Sequence, residues 1–105
     1  MSTHFLLRDG ESTGPQRVDR YPNPPICNHT VNALTHGWSG NIRIMGSIEL
    51  QPTSDSWFEL INVDVRGKVG TPMNHMWNHE GCFIWLKAEI TTLNSSGRVD
   101  RITTI

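Results

Sequence analysis

The stretch Gly40–Leu60, GNIRIMGSIELQPTSDSWFEL, decides the fold. Ile42, Ile44, Ile48 and Leu50 share one parity with Gly46 in register, while Asn41, Arg43, Met45, Ser47 and Glu49 share the other. Successive side chains of an extended chain point to opposite faces, so this alternation predicts a strand with one face on a core. Gln51 to Ser56 is a turn cluster, after which Trp57 to Arg66 reads as a second strand. Its apolar parity changes midway: Phe58 and Leu60 are even, Ile61, Val63 and Val65 odd. One inserted residue flips every later side chain to the opposite face, so a β-bulge is expected near Leu60.

Working outward, Gly67 to Gly81 reads as a long loop. Cys82 to Thr92 is a third strand, with Ile84, Leu86, Ala88 and Ile90 inward and Lys87 and Glu89 outward. Asn94-Ser95-Ser96-Gly97 is a turn, and Val99 to Ile105 a final strand. Four of the six prolines, Pro15, Pro22, Pro24 and Pro25, lie upstream of residue 40. Proline donates no ladder hydrogen bond, so Gly10 to Pro25 is expected to be an extended arm. His4 to Arg8 and Ile26 to Leu34 are short strand candidates. The expected organisation is a Pro-rich arm with leading strands over 1–39 and an antiparallel β-sandwich or small jelly roll over 40–105.

Composition agrees with an all-β class. The 105 residues contain 36% hydrophobic and 18% charged residues, with no sustained 3.6-residue apolar period, so the chain builds turns and short strands rather than helices. A net charge of −1 predicts no nucleic-acid partner, which would need clustered Lys and Arg. No apolar run reaches membrane-spanning length, so no membrane partner is expected. The opening MSTHFLLRDG has too short an apolar core for a secretory signal, and a cytoplasmic origin is the expectation.

GNIRIMGSIELQPTSDSWFEL, GCFIWLKAEI and SSGRVDRI resemble a small β-sandwich module of tailed-bacteriophage virion proteins. In that module I-x-I-x-G-S-I/L leads to P-T-x-x-D-W-F, and a later G-N-F-x-W-I-R-A strand precedes G-x-V-D-K-I-L. The matching positions are Ile42, Ile44, Gly46, Ser47, Pro52, Thr53, Trp57 and Phe58, then Gly81, Phe83, Trp85 and Ala88, then Gly97, Val99, Asp100 and Ile102. Cys82 replaces the module's Asn, Ser56 separates Asp55 from Trp57, and Lys87 and Arg101 exchange basic types. The resemblance covers residues 40–105. It implies a non-enzymatic structural protein, assembled in the host cytoplasm, that decorates or cements a capsid as a homo-oligomer in the particle. Its partners would be the major capsid protein or, in the alternative, tail, neck, baseplate or fibre components.

Several residues are able to carry chemistry, and each has a plainer role. His75, His79 and Cys82, with Cys27 and His29, supply zinc-type ligands, but the paired spacing of a zinc ribbon is missing. No metal and no cofactor are therefore expected. Cys27 and Cys82 form the only possible intrachain disulfide, and without a secretory signal two free thiols are favoured. Asp55 with Glu59, or Asp64 with Glu89, could pair for hydrolysis, yet outward carboxylates on strands are routinely solvated, and no enzyme is expected. Asn28-His29-Thr30 and Asn94-Ser95-Ser96 match a glycosylation sequon that arises easily by chance.

The interface candidates are Tyr21, Pro22, Pro24 and Pro25 of the arm, Trp38, Met76 and Trp77 in loops, and Phe83 and Trp85. Phe83 and Trp85 share the outward parity of Lys87, which would leave an exposed apolar patch unless a second sheet or the amino-terminal arm covers them. A third reading is a carbohydrate-binding sandwich in which Trp38 or Trp77 stacks on sugar rings.

Overall fold

The computed structural model describes residues 4–8, 11–19, 27–68, 70–93 and 97–105. Within them nine strands and no helix occur: β1 (His4–Arg8), β2 (Glu11–Ser12), β3 (Gln16–Arg17), β4 (Asn28–His36), β5 (Gly40–Ser47), β6 (Phe58–Val65), β7 (Pro72–Glu80), β8 (Trp85–Thr92) and β9 (Arg98–Thr104). They form two antiparallel sheets, β2-β1-β9-β4-β7 and β3-β8-β5-β6. Between them lies a core of Leu6, Leu7, Val18, Val31, Ala33, Trp38, Ile42, Ile44, Leu86, Ala88, Val99 and Ile102, with Ile61 and Val65. The architecture is the antiparallel β-sandwich that the alternating pattern predicts.

The expected bulge is present. Ile44 faces Ile61 whereas Met45 faces Glu59, so Leu60 is the extra residue that shifts the apolar set from even to odd positions. A second bulge lies in β1, where Phe5 faces Thr103 and Leu7 faces Ile102. The residue skipped is Leu6, and consecutive Leu6 and Leu7 are both buried. A third skips Asp100 in β9, between Leu34↔Arg101 and Thr35↔Val99.

Several expectations require correction. No boundary at residue 39 separates the sheets, because β4 sits between β9 and β7 in the larger one. Part of the expected arm belongs to the sandwich too: Gln16 and Arg17 pair with Leu86 and Trp85, and Val18 is buried. The opening strand stops at Ser47, whose buried hydroxyl accepts the Glu49 amide at 3.2 Å and turns the chain. Ile48 and Leu50, expected inward, are therefore 57% and 66% exposed.

The expected loop from Gly67 to Gly81 contains the nine-residue strand β7, paired with β4 along its whole length from Asn28↔Glu80 to His36↔Pro72. Its exposure alternates residue by residue, with Met73, His75, Trp77 and His79 inward and Asn74, Met76, Asn78 and Glu80 outward.

Candidate interface

Trp38 occupies the core rather than a surface. It is 1% exposed, and its indole N–H donates to Thr92 Oγ1 at 3.0 Å. Glycines crowd it: a Cβ on Gly40 would lie 2.5 Å from the Trp38 ring, and one on Gly67 would lie 2.6 Å from the Trp38 carbonyl oxygen. A Cβ on Gly97 would lie 2.2 Å from the Gly37 carbonyl, so the backbone can close over the indole only where side chains are absent. Its assignment as an interface or sugar-stacking residue does not hold.

Phe83 is also turned inward, against the core. Its ring centroid lies 6.2 Å from that of His29 and 5.9 Å from that of His79, and Cβ atoms on Gly46 and Gly81 would collide with it. The chain leaves the sheet before β8 begins at Trp85, so strand parity does not govern Phe83. Trp85 is half-buried, with its indole N–H donating to the Leu50 carbonyl at 3.3 Å. Tyr21, Pro22, Pro24 and Pro25 lie outside the described residues.

Cys27 and Cys82 are joined in a disulfide, correcting the expectation of two free thiols. The cause is register: Asn28 faces Glu80, and the Gly81 amide donates to the Cys27 carbonyl at 2.7 Å, which carries Cys82 to its partner. The bond removes both sulfurs from any ligand set, and no group of three candidate metal ligands occurs among the described residues. Beside it, His29 is 2% exposed, faces His79 across the β4–β7 ladder and accumulates repulsion from His79 and His4. Burial is the largest influence and lowers its pKa below 6.5, with a hydrogen bond to the Gly81 backbone opposing.

Of the carboxylates named for hydrolysis, Asp55 lies in the turn between β5 and β6, and Glu59, Asp64 and Glu89 belong to a polar ladder on the outer face of the smaller sheet. Arg43 Nε lies 2.9 Å from Glu59 Oε1, Lys87 Nζ lies 3.4 Å from Glu89 Oε1, and Asn41 donates to Asp64 at 3.1 Å. Alternation places them there: Arg43 and Glu59 pair across strands with opposite charge, Asn41 reaches Asp64 across the same strands, and Lys87 and Glu89 are same-face neighbours within β8. Lys87 also caps the Trp57 ring at 4.3 Å.

Among the described residues two surfaces stand out for contact with other molecules. One lies at the end of the smaller sheet where β5 leaves and β6 begins, Gly46 facing Phe58. There Ile48, Leu50 and Phe58 are each more than half exposed. The sequence pattern assigned the two aliphatic residues to the core, and the signal that corrects it is Ser47, a local capping residue ahead of the turn cluster. The other surface is β7, the edge of the larger sheet. Met76, one of the sequence candidates, is 66% exposed there. Trp77, another, is half-buried against the core and stacked on His75 at 5.8 Å and 6°. No family model matches the chain, and neither a curated protein nor a solved structure matches it.

Proposed function

We propose that this chain is a non-enzymatic structural protein of a tailed-phage particle, holding subunits together on the capsid lattice. The observation that carries this reading is the apolar tip formed by Ile48, Leu50 and Phe58. A solvated tip gains nothing from three large apolar side chains, whereas a docked one removes them from water at about 25 cal/mol per Å². The resemblance of residues 40–105 to a virion module supports the same class. The sugar-binding alternative loses its Trp38, which is enclosed by glycines and hydrogen-bonded to Thr92.

The test is proteomic and structural. Purified particles of the phage encoding this chain should contain it in stoichiometric amounts, and a reconstruction should place the Ile48/Leu50/Phe58 end against a capsid subunit. The combined change Leu50→Lys and Phe58→Lys should release the protein from particles while leaving its melting temperature near the unsubstituted value. Particles that lack the chain, or full retention of the double variant, would overturn the proposal.

A further inference from the structure

Strand β7 ends the larger sheet, and no described residue pairs with its outer side. Exposed strand edges are usually blunted by lysine, proline or a bulge, because unpaired amides and carbonyls template a further strand. Between Met73 and His79 this edge has no Lys, Arg, Asp, Glu or Pro. Its pairing with β4 also runs without a register shift.

The direction of its backbone groups follows from two hydrogen bonds that bracket the strand. Gly37 N donates to Thr71 O at 3.2 Å, and Gly81 N donates to Cys27 O at 2.7 Å. Odd residues of β7 therefore bond to β4. With no bulge between them, Asn74, Met76, Asn78 and Glu80 direct their N–H and C=O groups to the open edge.

The outward-facing residues along that edge read the same in both directions. Counting outward-facing side chains, Asn74, Met76 and Asn78 form an Asn-x-Met-x-Asn palindrome. An antiparallel second copy centred on Met76 would set Met76 against Met76 and each Asn74 against Asn78. The Thr30 hydroxyl donates to Asn78 Oδ1 at 2.8 Å, leaving the Asn78 amide N–H groups available to the facing Asn74. On the inner face His75 would meet Trp77, so the aromatic pair already stacked within one strand would be continued across the junction. Like charges meet nowhere between residues 73 and 79 when the histidines are neutral.

From this self-complementarity we infer that the occupant of the β7 edge is a second copy of this chain, added antiparallel about a twofold axis at Met76. The two five-stranded sheets become one continuous ten-stranded sheet, and the twofold axis makes the interface closed and self-complementary. This surface is separate from the apolar tip, and the inference does not depend on a virion location.

Sedimentation of the purified full chain across a concentration series should show a monomer–dimer equilibrium. Asn74→Lys with Asn78→Lys places like charges opposite each other twice and should weaken dimerisation at least tenfold. Asn74→Lys with Asn78→Glu places opposite charges there and should preserve it. Circular dichroism and melting curves of each variant confirm the fold.

Oxidative cross-linking gives the register directly. Residues at 76 in an H-bonded antiparallel pair have Cα atoms about 5.5 Å apart, within disulfide reach. Residues at 74 are offset by four positions, about 14 Å along the strand. Met76→Cys should thus yield covalent dimer and Asn74→Cys should not. A chain that stays monomeric throughout, a double-lysine variant that dimerises as before, or equal cross-linking at 74 and 76 would overturn the inference.

Discussion

The Trp38 indole donates its N–H to the Thr92 hydroxyl at 3.0 Å, joining the β4–β5 connection to the end of β8 beneath a lid of glycine backbone. Removing the ring leaves a large cavity, and Trp38→Ala should cost about 3–5 kcal/mol of unfolding free energy. Thr92→Val keeps the volume but strands the indole donor, costing about 1–3 kcal/mol. Gly97→Ala should destabilise as well, since its methyl would meet Gly37 backbone. Chemical denaturation of the three variants checks the order; a neutral Trp38→Ala would contradict the core assignment.

Reduction should loosen the molecule. The Cys27–Cys82 bond spans 55 residues. A loop of that length corresponds to about 4 kcal/mol of chain-entropy stabilisation. Dithiothreitol, or Cys27→Ser with Cys82→Ser, should lower the melting temperature by many degrees. Unchanged melting under full reduction, verified by thiol titration, would show that the bond contributes nothing.

Acid should destabilise the fold through His29. Its folded pKa lies below its ordinary 6.5, chiefly because burial penalises the imidazolium, so the unfolded chain binds more protons in this range. Stability is complete above about pH 6.5 and falls as pH drops from there toward the depressed folded value. The groups adding to this are His79 and His4, whose charges repel a protonated His29. His75, lowered by burial alone, contributes with the same sign. Denaturant midpoints between pH 7.5 and 5 should decline, with a shallower slope for His29→Gln; an unaltered slope would assign the effect elsewhere.

The first residues should prove indispensable. Leu6 and Leu7 are buried at 0% and 1% exposure, and Val18 at 4%. Deleting residues 1–19 strips β1, β2 and β3 from both sheets and should abolish cooperative unfolding. Leu6→Ala alone should cost about 2–5 kcal/mol. A truncated chain with an unchanged melting curve would restore the view of this segment as a peripheral arm.

Legibility in the sequence followed the strength of each local pattern. The bulge at Leu60 could be located because the aliphatic residues around it are unambiguous, and a parity change admits few explanations. Strand β7 could not. Pro72–Glu80 contains no β-branched residue, and its inward positions are Met, His and Trp, which suit loops equally well. Its extended form is imposed by pairing with β4 across all nine residues, a tertiary cause with no local signature. The Cys27–Cys82 pairing is the one intrachain option in the sequence, but the expectation of free thiols rests on the compartment, and the β4–β7 register that makes the two residues neighbours has no local signature. Trp38 was misplaced for a related reason: the glycines that enclose it, Gly40, Gly67 and Gly97, are scattered along the chain and meet only in the fold.

The place of β9 has a consequence for how the molecule is made. This last strand, Arg98–Thr104, lies between β1 and β4, bonded to both. During synthesis β1 is made before β9 and has no β9 to pair with until all the strands between them have been translated. Leu6 and Leu7 must therefore wait, solvated or held by a chaperone, while β4 and β7 assemble. At about 5–20 residues per second that interval lasts on the order of 5–20 s, during which the nascent chain is most open to aggregation.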